Sequence, residues 1–239
     1  MASDFHVGID LDNTIIDYDK PFVAAGAALG LLPPGHGCTD KGAVKALLLR
    51  GSAGEEAWMR LQGQVYGARI GGARLTAGVA RFLKALRRRR VRISIVSHKT
   101  RYGHFDPARV DLWEAALGWL DGRGFFDRDG FALDRAAVHF LETRQEKIAT
   151  IGRIGCDMFI DDLPEVLTDP GFPAGTVGLW YAGPAAVAAA HALVPHRNWT
   201  GILGAVDALR RGEATAPRAP SAPVCEPGNA LDAPPRTMP

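Results

Sequence analysis

The alternation of short apolar runs with amphipathic segments is the feature that most restricts the fold of this chain. Apolar runs suited to strands occur at 5–10, 91–97, 137–140, 157–161 and 176–181. Helical patterns lie between or after them, at 78–90, 144–154 and 198–211. Apolar strands separated by helices indicate a parallel sheet that is covered on both faces. The sequence therefore predicts an α/β fold built on a parallel sheet.

One further helix is predicted from a local signal. Asp106 followed by Pro107 is typical of an N-cap and the first helical position. We expect this helix to run to about Leu120 and to end near Gly122.

A segment after the first strand contains helical patterns and no convincing strand. Its two stretches, "TDKGAVKALLLRG" and "SAGEEAWMRLQGQVYGARIGG", are typical of helices. In the second stretch, Ser52 and Glu55 have the spacing of a capping box, and Gly71-Gly72 predicts the end of the helix.

These patterns divide the chain into three parts. A small helical subdomain is expected over 20–72, inserted into a core formed by 1–19 and 73–212. Residues 213–239 include seven prolines and few large apolar side chains, which predicts a disordered tail.

Composition restricts the class of protein further. The chain has 239 residues and a formal net charge of +2, which does not favour a nucleic-acid binder. No apolar stretch approaches the roughly 18 residues of a membrane span, and the N-terminus lacks the features of a signal peptide. Cys38, Cys156 and Cys225 are far apart and odd in number, which predicts reduced thiols. We expect a cytoplasmic protein with a small-molecule substrate and no membrane or nucleic-acid partner.

Two carboxylates stand one residue apart at the end of the first apolar run, in "FHVGIDLDNTIID". Asp10 and Asp12 would both border the carboxyl edge of the sheet, where parallel α/β folds bind ligands. Like charges this close are costly unless a cation neutralises them or one carboxyl keeps its proton. Both states suit attack on a phosphate, with Asp10 as a nucleophile beside a metal and Asp12 as a proton donor.

A metal site predicts further acids at another strand end, and "CDMFIDDLPEVL" provides Asp161 and Asp162. Capping of a helix or turn would explain one acidic pair, but it explains two pairs at strand ends less well. Ser97 ends the strand "RISIVS", and Lys147 lies near the start of the helix before the second acidic strand. A hydroxyl, backbone N–H groups and an ammonium are the donors that a phosphate requires.

These four segments resemble the four sequence motifs of the haloacid dehalogenase (HAD) superfamily. They are "DLDNT" at 10–14, "IVS" ending at Ser97, Lys147, and "IDD" ending at Asp162, in the order and approximate spacing of that superfamily. The resemblance extends from about residue 5 to residue 182. It implies a Rossmann-like core with a small helical cap inserted after the first strand, which would be 20–72.

The resemblance implies a magnesium-dependent phosphatase, a hydrolase of phosphomonoesters. Asp10 would be the nucleophile that forms an aspartyl-phosphate, and Asp12 would act as the acid and then the base. Ser97 and Lys147 would bind the phosphoryl oxygens, Lys147 would also hold Asp10, and Thr14 would position the turn that borders this phosphate site. Mg²⁺ would be bound by the acids, namely the side chains of Asp10 and Asp161, the backbone carbonyl of Asp12, and Asp162 directly or through water.

Several alternatives stay open at this point. Asp12 favours phosphoryl transfer over carbon–halogen cleavage, because the true dehalogenases of the superfamily lack the second acid. Phosphonate cleavage depends on a cap lysine, and Lys41 and Lys45 lie in the cap region. A phosphotransferase would share the nucleophile, and a non-catalytic module would only bind a phosphorylated ligand. The presence of every acid favours an enzyme over the binding module, and the roles of the named residues favour hydrolysis over transfer.

The substrate is predicted only as a class. A cap of about 50 residues would partly cover the site, which favours a small phosphorylated metabolite such as a sugar phosphate or a nucleotide. The segment "SHKTRYGH" begins at Ser97, and we expect His98 or Lys99 to touch the substrate through a second anionic group. The alternative is that both residues are exposed loop cations.

Overall fold

The computed structural model describes residues 5–184 and 193–213. The strands are β1 (His6–Ile9), β2 (Ile16–Asp17), β3 (Arg74–Leu75), β4 (Arg92–His98), β5 (Val138–Leu141), β6 (Met158–Asp161), β7 (Val177–Tyr181) and β8 (Pro195–His196). The α-helices are α1 (Asp19–Ala28), α2 (Lys41–Leu48), α3 (Gly54–Tyr66), α4 (Val79–Arg88), α5 (Leu112–Asp121), α6 (Arg144–Arg153), α7 (Pro164–Leu167) and α8 (Trp199–Arg210). The predicted tail lies outside the described residues, apart from Glu213.

Six parallel strands form one sheet in the order β5-β4-β1-β6-β7-β8. Side chains alternate between its two faces, so Ile95 and Ile160 belong to one apolar cluster while Val96 and Phe159 belong to the other. Helices α4, α5 and α8 contribute to the first cluster, and α6 and α7 to the second. This is the predicted Rossmann-like parallel sheet flanked by helices, and all five predicted strands are confirmed.

Helices α1 to α3 form a separate group between β2 and β3. These two strands pair in an antiparallel ribbon, with Ile16 opposite Leu75, so the chain leaves and re-enters the core at one place. The three helices pack on one another through aromatic rings, including Phe22 stacked on Trp58 with centroids 5.0 Å apart. The helical character predicted for residues 20–72 is therefore confirmed.

The predicted start of a helix at Asp106 is wrong. Helix α5 begins at Leu112, where the Asp111 side chain accepts hydrogen bonds from the backbone N–H groups of Trp113 and Glu114. Asp106 instead accepts a hydrogen bond from Gln64 on α3, at 2.9 Å. A tertiary contact therefore replaces the local capping role that the Asp-Pro pair predicted.

The predicted limits of α3 are also wrong. Ala53 is its N-cap and makes no side-chain capping bond, so Ser52 and Glu55 form no capping box. The helix ends at Tyr66, and Gly71-Gly72 belong to a separate 3₁₀ turn over Ile70–Gly72. Where α3 begins, a Cβ on Gly54 would lie 2.4 Å from the carbonyl oxygen of Leu48, so close packing against α2 fixes this end.

Two further expectations can be compared with the described residues. Cys38 and Cys156 are free thiols, as predicted, and Cys225 lies outside the described residues. No helix of residues 5–184 and 193–213 combines the length and the hydropathy that crossing a bilayer requires.

Candidate active site

The loop after β1 carries Asp10 into the site. Its backbone N–H donates to the carbonyl of Ile160 on β6, at 2.9 Å, which fixes the nucleophile candidate against the neighbouring strand. Asn13 has φ of 61°, a left-handed conformation that Asn tolerates better than most residues, and it turns the chain sharply. Thr76 donates to the carbonyl of Thr14 at 2.8 Å and holds the far side of this turn.

Lys147 joins the ends of β1 and β6. Its Nζ lies 2.6 Å from Asp10 Oδ1 and 2.6 Å from Asp161 Oδ2, and its side chain is buried. The lysine is in the first turn of α6, which begins with a true capping box between Thr143 and Glu146. The cap fixes the start of the helix and therefore the point from which the ammonium reaches the two acids.

Three carboxylates gather beside this lysine. Asp10, Asp161 and Asp162 each offer an oxygen, and these oxygens lie within 4.8 Å of one another. Asp161 also accepts a hydrogen bond from the Leu163 backbone at 3.0 Å, and Thr14 donates to Asp162 at 3.4 Å. The two acidic strand ends therefore meet in one cluster.

The pKa values reflect an excess of acid over cation. Burial raises the pKa of Asp10 well above its ordinary value, and the nearby Asp161 and Asp162 add to this, against the opposing effect of Lys147. Burial and the adjacent Asp161 raise the pKa of Asp162 to about 7. Burial would lower the pKa of Lys147, but Asp10 and Asp161 outweigh it and raise that pKa. Such a cluster is stabilised by protons or by a metal cation.

Asp12 is held on both oxygens by other groups. Lys99 Nζ lies 2.7 Å from Asp12 Oδ2, and the Tyr18 hydroxyl donates to Asp12 Oδ1 at 2.8 Å. Burial and the neighbouring Asp12 raise the pKa of Tyr18 well above its ordinary value, so the phenol remains a donor. The Lys99 ammonium also lies 4.3 Å from the centroid of the Tyr66 ring on α3.

Ser97 has an unused hydroxyl. It is fully buried at the end of β4, and its Oγ has no hydrogen-bond partner among the described residues. A buried hydroxyl without a partner is uncommon and indicates a missing ligand or water. His98 points elsewhere, since it is exposed and its Nε2 contacts the carbonyl of Glu142 at 3.0 Å.

Sequence reasoning missed the contacts of two residues of this site. Tyr18 carried no functional signal, and Lys41 was considered only as a cap lysine for phosphonate cleavage. Lys41 Nζ donates to Asn13 Oδ1 at 3.1 Å, although 28 residues separate them. Burial would lower the pKa of Lys41, but Tyr66, Asp12 and Asp162 outweigh it and raise that pKa, so Lys41 is a cation.

Comparisons with known proteins identify structures with a similar fold. No protein-family model matches the chain, and no curated protein does. A HAD-superfamily hydrolase from Ehrlichia chaffeensis shares 16% identity with a TM-score of 0.54, over 88% of this chain and 99% of that one. The HAD hydrolase YfnB from Bacillus subtilis, solved bound to magnesium, shares 14% identity with a TM-score of 0.52, over 85% and 98%.

The chain has the fold of the haloacid dehalogenase superfamily, as its four motifs predicted. Protein Tyrosine Kinase A of Mycobacterium tuberculosis also matches, at 16% identity and a TM-score of 0.53, over 86% of this chain and 99% of that one. Because a protein named as a kinase and proteins named as hydrolases share this fold, the site must decide the reaction.

Proposed function

We propose that this protein is a magnesium-dependent phosphomonoesterase that hydrolyses a small phosphorylated metabolite through an aspartyl-phosphate on Asp10. The observation that carries the proposal is the Lys147 ammonium, which lies 2.6 Å from both Asp10 and Asp161. The proposed nucleophile, a cation and a metal-ligand candidate therefore lie within one buried cluster. Ser97 lies at the end of the neighbouring strand β4, and its unpartnered hydroxyl is available to donate to a phosphoryl oxygen.

The acidic cluster fits Mg²⁺ by its donor chemistry. Asp10, Asp161 and Asp162 offer carboxylate oxygens within 4.8 Å of one another, and hard oxygen ligands are those that Mg²⁺ prefers. Burial first and neighbouring carboxylates second raise the pKa values of Asp10 and Asp162, and a bound cation would stabilise their ionised forms. The backbone carbonyl of Asp12 would complete the protein ligands. The bound cation would neutralise carboxylates and phosphate, so that the two can approach each other.

The residues divide the reaction into two steps. The Asp10 carboxylate attacks phosphorus, the bond from phosphorus to the ester oxygen breaks, and Asp12 donates a proton to the departing alkoxide. Asp12 then accepts a proton from water as the water oxygen attacks the aspartyl-phosphate, which releases inorganic phosphate and regenerates Asp10. Lys147 and Ser97 bind the phosphoryl oxygens in both steps, and Thr14 holds the turn beside them.

Helices α1 to α3 would act as the cap of this site. Asp10, Lys147 and Asp161 are each at most 5% exposed, so a substrate can enter only if part of the protein moves. The single ribbon of β2 and β3 is the natural hinge for such a movement. A cap that closes over the site favours a small metabolite over a phosphoprotein.

Phosphonate cleavage is disfavoured by the state of Lys41. A lysine that forms a Schiff base must lose its proton, and lysines that do so usually have a lowered pKa. The pKa of Lys41 is instead raised, because Tyr66, Asp12 and Asp162 outweigh its burial.

The test is release of inorganic phosphate from p-nitrophenyl phosphate with Mg²⁺ and with EDTA. We expect activity with Mg²⁺, loss of activity in EDTA, and its recovery when excess Mg²⁺ is restored. The Asp161→Asn variant should need a higher Mg²⁺ concentration for half-maximal activity. Equal activity in Mg²⁺ and EDTA would reject the proposed function.

A further inference from the structure

A groove with a volume of about 940 Å³ lies where α3 meets the loop after β4. Its polar lining combines both signs of charge and comprises Glu56, Arg60, Arg101, Asp106, Arg109 and Glu142. The volume is within the range of small-molecule sites. None of the catalytic side chains described above lines the groove.

The groove adjoins the catalytic site along three elements. Thr100, which lines it, directly follows Lys99, and Thr143, which also lines it, is the N-cap of the helix that carries Lys147. On α3, Arg60 lines the groove and Tyr66 contacts Lys99. Six helical residues span roughly 9 Å, so Arg60 lies about this far along α3 from the residue that contacts Lys99.

Asp106 lines this groove and has one carboxylate oxygen without a hydrogen-bond partner among the described residues. The residue is 5% exposed, and its Oδ1 accepts from Gln64 at 2.9 Å and from the Ala108 backbone at 3.3 Å. Its Oδ2 is buried and has no hydrogen-bond partner among residues 5–184 and 193–213. A buried carboxylate oxygen left without a donor is costly, so the groove is suited to a ligand that brings a hydroxyl or an ammonium.

The arginines of the groove supply the opposite charge. Arg101 is committed to Asp111 at 2.8 Å, and the Arg109 guanidinium lies over the Tyr102 ring at 4.7 Å. Arg60 is exposed and forms no ion pair with any described residue, including Glu56 one turn earlier. A guanidinium binds a carboxylate through two parallel hydrogen bonds. Lys99, from which a second anion contact was expected, is already paired with Asp12.

We propose that this groove binds the alcohol portion of the substrate, and that the substrate is the phosphomonoester of a polyhydroxy acid. Asp106 Oδ2 accepts a hydrogen bond from a substrate hydroxyl, and Arg60, assisted by Arg109, binds the terminal carboxylate. The phosphate at the other end of the chain lies between Asp10 and Ser97. This inference rests on the proposed function and names the substrate class of the same site.

The first experiment measures kcat/KM of the wild-type enzyme for 6-phosphogluconate and for sorbitol 6-phosphate. Both have a six-carbon chain with one phosphate, but only the first ends in a carboxylate. We expect 6-phosphogluconate to be favoured about 10- to 100-fold, the value of a charged hydrogen bond. p-Nitrophenyl phosphate, which has neither hydroxyls nor a carboxylate, reports the proposed function by itself.

The outcomes separate the two proposals. Hydrolysis of p-nitrophenyl phosphate with equal kcat/KM for the two six-carbon esters would overturn the groove assignment and leave the phosphatase standing. Failure to hydrolyse any of the three compounds would reject the phosphatase, and the groove assignment with it.

Two variants then locate the contacts. Arg60→Gln should reduce the preference for 6-phosphogluconate at least tenfold, whereas Arg50→Gln, exposed at the end of α2 and outside the groove, should keep the wild-type ratio. Asp106→Asn, which retains an oxygen for Gln64, should raise KM for both six-carbon esters. An unchanged ratio in Arg60→Gln, or unchanged KM values in Asp106→Asn, would overturn the corresponding assignment.

Discussion

At the scale of single residues, the site is a near balance of charge. Four carboxylates face three ammonium groups, which are Lys41, Lys99 and Lys147. When all four carboxylates are ionised, the excess of one negative charge becomes an excess of one positive charge on binding of a divalent cation. A phosphate dianion can then enter with little electrostatic cost, which is the condition for attack by an anionic nucleophile.

We expect Lys99 to affect catalysis by holding Asp12 in place and not by binding the substrate. Replacing it in Lys99→Met would leave the Asp12 carboxylate with one donor, Tyr18, and free to leave its catalytic position. We expect kcat to fall about 100-fold, within the usual contribution of a general acid–base residue. Lys84→Met, at an exposed position of α4, is the matched control and should match the wild type. Steady-state kinetics that leave kcat of Lys99→Met at the wild-type value would remove Lys99 from this role.

Sequence reasoning identified the acids and Lys147 because they stand at strand ends or helix starts, where local patterns are informative. It expected His98 or Lys99 to touch the substrate, and the structure pairs Lys99 with Asp12. The contacts of Tyr18 with Asp12 and of Tyr66 with Lys99 were not predicted, because an aromatic residue in a helical segment is usually core. The contact between the two tyrosines, with ring centroids 4.8 Å apart, depends on how α3 packs on α1, which no single segment encodes.

At the scale of elements, the contact between α3 and the loop after β4 depends on two glycines. A Cβ on Gly103 would lie 2.6 Å from the Cα of Gly63, a distance that the two backbones cannot accommodate without moving apart. The same contact positions Tyr66 over Lys99 and Gln64 against Asp106. Backbone proximity at this point therefore holds the helical group against the core.

The Gly103→Ala variant should separate these two elements. We expect a loss of about 1–3 kcal/mol in the free energy of unfolding, the usual cost of overpacking, together with a lower kcat/KM. Gly118→Ala on α5 is the control, because a Cβ there meets nothing within 4 Å and alanine favours a helix. Thermal unfolding and kinetics of both variants test this. Equal stability of Gly103→Ala and the wild type would contradict the close contact.

The elements themselves could be predicted with uneven success. Strands were located well, because buried parallel strands are continuous apolar runs. The start of α5 was misplaced because Asp106-Pro107 is a strong local signal, while the actual cap, Asp111 with Glu114 three residues later, is a comparable signal that was not weighed. Competing local signals are resolved by tertiary contacts, here the bond from Gln64 to Asp106.

At the scale of the whole molecule, the acidic cluster should link stability to pH and to metal. The pKa of Asp162 is about 7 in the folded protein, above its ordinary value of 3.8. The folded state therefore keeps a proton that the unfolded state has released. It follows that the contribution of Asp162 to stability falls as pH rises from about 4 to about 7 without metal.

This predicts opposite pH trends with and without magnesium. In EDTA, the Tm of the wild type should fall relative to the Tm of Asp162→Asn as pH rises across this range. The reason is that Asp162 ionises over this range and Asn does not titrate. The increase in Tm that Mg²⁺ produces in the wild type should grow over the same range, because ionised carboxylates bind the cation. Thermal unfolding at several pH values is the measurement. If the Tm of the wild type in EDTA instead rises relative to that of Asp162→Asn as pH rises, the assigned pKa is wrong.

The overall architecture could be predicted from the sequence because three features indicated the same fold. They are the order of strands and helices, their apolar patterning and the position of the acids. The packing of the three inserted helices did not follow, since aromatic contacts such as Phe22 on Trp58 join residues far apart in the chain. The proposed specificity groove could not be predicted from the sequence for the same reason, because its lining residues are far apart in the chain.

Phosphorylation of Asp10 during turnover is the central claim, and peptide mapping of enzyme quenched during hydrolysis of p-nitrophenyl phosphate tests it most directly. We expect one phosphoryl group on the peptide that contains Asp10, none in Asp10→Asn, and the wild-type result in Asp129→Asn, an exposed acid far along the chain. A phosphoryl group on another residue, or turnover by Asp10→Asn at the wild-type rate, would contradict the account.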